Sequence, residues 1–261
     1  MNVALVTGSS SGIGEATARR LAREPGMKLV LVARREDRLR ELADELGGAT
    51  VIAADLTDEA APAEIAARVE AEHGRLDLLV NNAGAAWRGT FGEQGYANVK
   101  KMMDLNFDAV LRVTEALLPL LRRSAPSSIV NVASTAGRVS RANSGGYSAS
   151  KFALAGWTDA LHLEERKHGV HVGLVLPGFV ATEGFPQKEL VDRRATRWLV
   201  STPEKVADAI FAAGPGGRAE RYVPRPYWIA ASLRVVAPRL VRRMTGGGGA
   251  MTPSTGPDAA A

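Results

Sequence analysis

Tyr147 and Lys151 stand four residues apart in a run that reads as helix, so the phenol and the ammonium share one face, one turn apart. A nearby ammonium favours the phenolate and lowers the tyrosine pKa. A phenol acidified in this way can give a proton to a substrate oxygen near neutral pH, or take one from it, where a free phenol near pKa 10 does so poorly. Ser134, thirteen residues earlier and just after an apolar run, is a hydroxyl able to hold a substrate carbonyl in place. Each residue alone also has a structural reading. Tyr and Lys at this spacing occur on many helices, a Ser after a strand is commonly a turn or cap, and Asn106 suits a helix N-cap.

A second constellation lies near the start. Thr7-Gly8-Ser9-Ser10-Ser11-Gly12-Ile13-Gly14 follows a β-branched run and opens an amphipathic one. Glycines let a backbone turn tightly and come close to a pyrophosphate, and a helix N-terminus offers free N–H groups at its positive end. The spacing is G-x-x-x-G-x-G rather than the more widespread G-x-G-x-x-G.

These residues resemble the short-chain dehydrogenase/reductase family in its single-domain form. Asn81-Asn82-Ala83-Gly84 matches the family's N-N-A-G, Asn106 its fourth catalytic position, and Pro177-Gly178 with Thr182 its P-G…T segment. The resemblance spans residues 1–225. It implies catalytic residues Asn106, Ser134, Tyr147 and Lys151, with Tyr147 as general acid/base in hydride exchange between a ketone or aldehyde and an alcohol. It implies that Asn106 holds a relaying water and that Lys151, with Tyr147, meets the nicotinamide ribose. Gly8, Ser10, Ser11, Gly12, Ile13 and Gly14 would cradle the pyrophosphate. Asp55, beside Leu56, would meet the adenine, and Asn82, Ala83 and Gly84 the adenosine ribose. Pro177, Gly178, Val180 and Thr182 would orient the carboxamide, and Ser134, Tyr147 and Phe179 would touch substrate. Asp55 also reads as a helix cap or loop aspartate, and N-N-A-G as a strand-end turn.

The cofactor expected is NADP(H) rather than NAD(H). The second strand ends Val32-Ala33-Arg34-Arg35. An NAD enzyme places a carboxylate there for the ribose 2′-hydroxyl, whereas guanidinium groups bind a 2′-phosphate. Arg34 is the expected main contact and Arg35 the second; the alternative is a solvated basic face shared with Arg38 and Arg40.

Positioning these residues requires a particular scaffold. Strand candidates at 3–7, 29–32, 51–54, 76–80, 128–132, 170–176 and 221–223 alternate with helix candidates at 13–24, 36–46, 59–73, 96–122, 146–168 and 203–213. The first six strands are almost wholly apolar, as parallel strands covered on both faces are. The pattern predicts an α/β, Rossmann-like doubly wound parallel sheet of about seven strands. Residues 1–225 form the expected catalytic domain, 226–245 a basic amphipathic extension and 246–261 a disordered tail.

Composition narrows the classes. The 261 residues hold no cysteine, which excludes disulfides and thiolate chemistry, and the four histidines show no metal-ligand spacing, so no metal is expected. No basic region or long apolar run precedes Val3, so no signal peptide is expected; no run of 18 uncharged apolar residues occurs, so no membrane span is expected either, and a cytoplasmic location is. The net charge of +5 is local. Residues 1–213 balance, and the excess comes from arginines after Gly214, so nucleic-acid binding is not expected.

Substrate choice in this family falls to the segment after Pro177-Gly178. Here Phe179, Phe185, Leu190, Trp198 and Leu199 suit a hydrophobic carbonyl substrate, while Arg193, Arg194 and Arg197 suit an acidic group or solvent. Apolar stripes on two helices (Leu111, Val113, Leu117, Leu118; Phe152, Leu154, Trp157, Leu161) match the family's four-helix subunit interface, so a homo-oligomer, dimer or tetramer, is expected. The alternative is that they face only their own sheet. Residues 227–243, broken by Pro238, are expected to cover the cleft or an oligomer face through Trp228, Ile229, Leu233 and Val236, with peripheral membrane contact as the other reading. A cofactor-sensing protein without turnover and a membrane-surface lipid carbonyl reductase are the competing functions. A nucleotide-sugar epimerase fits less well.

Overall fold

The computed structural model describes residues 2–182 and 199–246. Seven strands form one parallel sheet: β1 Asn2–Thr7, β2 Met27–Ala33, β3 Thr50–Ala53, β4 Leu78–Asn81, β5 Ser127–Val132, β6 Val170–Pro177 and β9 Glu220–Val223. Their order is β3-β2-β1-β4-β5-β6-β9. A separate parallel pair joins β7 Phe179–Val180 to β8 Val200–Ser201, which the sequence reading did not anticipate.

Alternate residues of each strand point to opposite faces. Val6, Leu31, Val130 and Val175 therefore join one buried cluster with Leu21 of α1 (Gly12–Leu21), Leu39 of α2 (Glu36–Glu45) and Ile210 of α7 (Pro203–Ala213). Leu5, Val30, Leu79, Ile129 and Val172 join the other. They pack there with Ile65 of α3 (Ala61–His73), Leu117 of α5 (Ala109–Arg123) and Leu161 of α6 (Gly145–Glu165). Burial on both faces explains the uninterrupted apolar runs. The strand order reverses between β1 and β4, and a ligand crevice opens outside the strand ends at such a point.

One element departs from the expected pattern. The run 96–122 is not a single helix. Helix α4, Phe91–Met103, and α5 are separated by one π-helical turn, Asp104–Asp108. Such a turn inserts an extra residue into the helical ladder, often at a functional position. Here it presents Asn106, fully buried. The C-terminal extension is likewise two helices, α8 Tyr227–Val236 and α9 Pro238–Gly246, because Pro238 starts a new helix where it cannot continue one.

Candidate active site

The glycine loop between β1 and α1 depends on conformations that side chains resist. Gly8 and Gly12 have φ of 67° and 58°, the left-handed region that glycine occupies readily. A Cβ on Gly8 would lie 2.9 Å from the Cα of Ala83, and one on Gly14 would overlap the carbonyl oxygen of Gly8. The loop is stitched to the strand end beside it. Asn82 Nδ2 donates to the Thr7 carbonyl at 2.9 Å, and the amides of Asn82 and Ala83 each donate to Thr7 Oγ1 at 3.0 Å. Ser11 caps α1 by position but makes no side-chain capping bond, leaving the first N–H groups of the helix turned toward the crevice. A Cβ on Gly12 would come 3.3 Å from Thr182 Cγ2, so Thr182 lies over this loop. A bare backbone cradle at a helix N-terminus fits a dinucleotide pyrophosphate.

At the end of β2, Ala33 is buried. Arg35 donates through Nε and Nη2 to Ser10 Oγ at 3.3 and 3.2 Å, and through Nη2 to the Ser10 carbonyl at 3.3 Å. Arg34 is exposed and faces Asp55, whose pKa is lowered by hydrogen bonds from Thr57 and by the charge of Arg34. Asp55 Oδ1 accepts from the Thr57 amide at 2.9 Å and hydroxyl at 2.7 Å, a local turn. The neighbouring Leu56 is buried in the core.

Ser134, Tyr147, Lys151 and Asn106 come together. Ser134 follows β5; its Oγ accepts from the Ala136 amide at 3.1 Å and donates to the Pro177 carbonyl at 3.4 Å. Tyr147 lies on the first turn of α6 and is hydrogen-bonded to Ser134. Lys151, one turn on, is buried and donates to the Val132 carbonyl at 2.9 Å. Asn106 Nδ2 donates to Ser150 Oγ at 3.1 Å and to the Ala85 carbonyl at 2.9 Å, while its Oδ1 accepts from the Ala85 amide at 2.9 Å. A Cβ on Gly84 would lie 2.8 Å from Asn106 Oδ1 and 3.4 Å from Lys151 Nζ. Asn106, Gly84 and Lys151 thus share one small space beside the tyrosine.

The electrostatics differ from the sequence expectation. Burial raises the Tyr147 pKa, and the Ser134 hydrogen bond and the charge of Arg88 pull it back. Lys151 does not act on the phenol in this arrangement, because its ammonium points to Val132. Its own pKa falls from 10.5 to about 8 through burial.

Arg88 and Arg141 were not singled out from the sequence. Arg88 sits in the loop after β4, Arg141 in the loop between Ser134 and Tyr147, and the Gly89 amide joins the two loops by donating to the Asn143 carbonyl at 3.1 Å. The Arg141 guanidinium lies 4.4 Å from the ring centre of Phe179, a cation–π distance. Burial lowers the pKa of both arginines, and for Arg88 the charge of Arg141 adds to the effect. Isolated arginines in loops carry no periodic signal. The hint was their position, within a few residues of Gly84 and of Ser134.

Tyr227, at the start of α8, was also missed as a cleft residue. Its ring packs against Gly178 so closely that a Cβ there would overlap it, and its hydroxyl donates to the Leu199 carbonyl at 3.1 Å. The extension therefore meets the cleft through Tyr227. Of the residues expected to cover the cleft or an oligomer face, Trp228, Ile229 and Val236 are exposed in the single chain and Leu233 is half-buried, so they do not cover the cleft within one chain. Phe185, Leu190, Arg193, Arg194, Arg197 and Trp198 lie outside the described residues, as does the tail 247–261. Of the interface stripes, Val113, Leu117, Leu154 and Leu161 are buried against their own sheet, while Phe152 is exposed. Among the described residues no cluster of His, Asp and Glu is placed to hold a metal ion.

A model of the short chain dehydrogenase family matches residues 2–190. A putative ketoacyl reductase of Streptomyces coelicolor is 40% identical over 224 residues, 83% of this chain and 84% of that protein. Oxidoreductase UcpA of Salmonella typhimurium is 36% identical over 217 residues, 81% of this chain and 80% of that one. The ketoacyl reductase HetN of a Nostoc species is 33% identical across 80% of this chain and 74% of its own. A crystal structure of a short-chain dehydrogenase from Streptomyces avermitilis superposes with a TM-score of 0.80 at 29% identity, covering 94% of this chain and 97% of the other.

Proposed function

We propose, from the premise that this chain belongs to the short-chain dehydrogenase family, that it is an NADP(H)-dependent reductase of a ketone with an apolar chain. The chain is an oxidoreductase of this family, and members of the family use nicotinamide cofactors. The observation that carries the reading is the convergence of Ser134, Tyr147, Lys151 and Asn106 beside a glycine cradle that admits no side chain.

In this reading the bound nicotinamide supplies or accepts the hydride. Gly8, Ser10, Ser11, Gly12, Ile13 and Gly14 hold the pyrophosphate, Asp55 and Leu56 the adenine, Asn82, Ala83 and Gly84 the adenosine ribose, and Pro177, Gly178, Val180 and Thr182 the carboxamide. Arg35, already against Ser10, and the exposed Arg34 take the 2′-phosphate. Ser134 donates a hydrogen bond to the substrate carbonyl and fixes its distance from Tyr147. Tyr147 gives its proton to the oxygen as negative charge develops there. Lys151 holds the cofactor ribose, and Asn106 keeps a water in line for returning the proton.

Arg141, stacked on the Phe179 ring, and Arg88, close to Tyr147, bring one aromatic face and two cations to the same end of the candidate site. The names of the ketoacyl reductase relatives suit that lining: an acyl chain against Phe179 and an acidic or strongly polar head near the arginines. The assembly proposed is a homo-oligomer through α5 and α6, with Phe152 in the contact, and the compartment proposed is the cytoplasm. Among the described residues no helix is long and apolar enough to cross a membrane.

The test is a panel of ketones and ketoacyl thioesters with NADPH and NADH, followed at the nicotinamide absorbance. Tyr147→Phe should lose turnover by at least about a hundredfold while still binding NADPH. Near wild-type turnover in that variant would remove the mechanism.

A further inference from the structure

Helices α8 and α9 hold apolar side chains in water. Trp228 is 54% exposed, Val235 80%, Val236 76% and Met244 71%, whereas Tyr227 and Val241 turn inward. Single exposed apolar residues are ordinary on soluble proteins, but a group on consecutive helices marks a contact surface. The charge of this segment is one-sided. Between Arg221 and Gly246 there are six arginines and no carboxylate, and Arg239, Arg242 and Arg243 on α9 are exposed and meet no carboxylate among the described residues.

Those two properties discriminate between occupants. A two-fold contact between copies would set the patch against itself and bring like guanidinium groups together. A surface with hydrocarbon inside and negative charge at its rim suits both properties at once. Trp and long arginine stems settle at such a boundary, with the charged heads reaching the phosphate level.

We propose that α8 and α9 form a docking face for a phospholipid surface carrying anionic head groups, on which the protein lies without crossing. Tyr227 fixes the root of α8 on Gly178 and Leu199, so the face adjoins the substrate cleft. If the reductase reading above holds, an apolar carbonyl compound dissolved in the bilayer has a short path to Tyr147. The docking itself does not depend on that reading.

The experiment is sedimentation of the full chain with vesicles of phosphatidylcholine alone or mixed with phosphatidylglycerol, at low and high salt. Binding is expected to the mixed vesicles only and to fall with salt. Each guanidinium near an anionic surface contributes roughly fivefold in affinity, so the triple variant Arg239→Glu, Arg242→Glu, Arg243→Glu should bind at least about a hundredfold more weakly. Trp228→Ser with Val235→Ser should weaken binding while keeping its salt dependence. All five positions are exposed, and the thermal midpoint of each variant checks that it folds. Failure to sediment with either vesicle, equal binding to neutral vesicles, or wild-type binding by the variants would overturn the proposal. So would a fall in oligomer mass in the charge variant without vesicles, which would give the face to a second copy. Loss of reductase activity with vesicle binding intact would count against the functional reading alone.

Discussion

Lys151 places its ammonium 2.9 Å from the carbonyl oxygen of Val132, tying the second turn of α6 to the end of β5 under the cleft. Burial brings its pKa from 10.5 to about 8. The folded state thus penalises the charged lysine. The penalty is full below about pH 8, shrinks as pH rises toward 10.5 and is absent above it, so this group makes the fold more stable with rising pH across that window. Catalysis runs the other way: carbonyl reduction should decline above about pH 8 as the ammonium is lost. Lys151→Arg keeps a charge at all accessible pH and should move that alkaline limb upward. Profiles of kcat against pH for both proteins check this; a wild-type profile flat through pH 8 contradicts it.

Arg88 is a cation that acts on the Tyr147 phenol. Burial raises that phenol, and the Ser134 hydrogen bond and Arg88 oppose the rise. Removing the guanidinium in Arg88→Met should raise the phenol pKa. Alcohol oxidation, which needs the phenolate, should then gain its activity at higher pH than in the wild type. The readout is the acidic limb of the oxidation profile. An unchanged limb with only a raised KM would leave Arg88 a substrate contact and nothing more.

Arg35 reaches Ser10 in the glycine loop, while Arg34 stands outside near Asp55. Arg35→Asp and Arg34→Asp should each lower the ratio of kcat/KM for NADPH over NADH, by roughly tenfold or more for a lost charge-assisted phosphate contact. Because Arg35 already stands on Ser10 of the glycine loop, the larger loss is expected there, the reverse of the order the sequence suggests. Steady-state kinetics with both cofactors decide the order; no change in either variant would refute the NADP assignment.

Glu165 is buried at the end of α6 and accepts two hydrogen bonds from Arg122 of α5, at 2.9 and 2.6 Å. The Arg122 hydrogen bond is the main reason its pKa is lowered. Its contribution is therefore present above the unfolded carboxylate pKa and lost as pH falls through the folded one. Arg122→Ala should destabilise by about 2 kcal/mol, and the difference from wild type should narrow in acid. Denaturant melts at neutral and acidic pH measure both.

Much of the candidate site's geometry was legible because its requirements are local. A glycine whose Cβ would strike Ala83 or the Gly8 carbonyl must be glycine, and a phenol and an amine on one helix face must be four residues apart. The sheet was legible for the same reason, since strands buried on both faces leave no polar alternation. The direction of Lys151 was not, because spacing fixes a face but not which acceptor a long side chain finds, and Val132 lies nineteen residues away. Arg88 and Arg141 were not, because their meeting depends on a loop contact between Gly89 and Asn143, the latter at φ 60°. The break between α4 and α5 escaped because a π turn adds a residue without interrupting the apolar stripe.

That inserted turn has a consequence for how this protein tolerates change. A π turn takes up about one residue more than an α turn, so the surplus near Asn106 is absorbed locally and α4 and α5 keep the rotation their apolar faces need. Deleting one residue from Asp104–Asp108 would leave a regular rod in the same place. It would also remove the bulge that presents Asn106 to Ala85 and Ser150. Alleles with single-residue losses here should yield folded, inert enzyme, while matched losses in surface loops stay active.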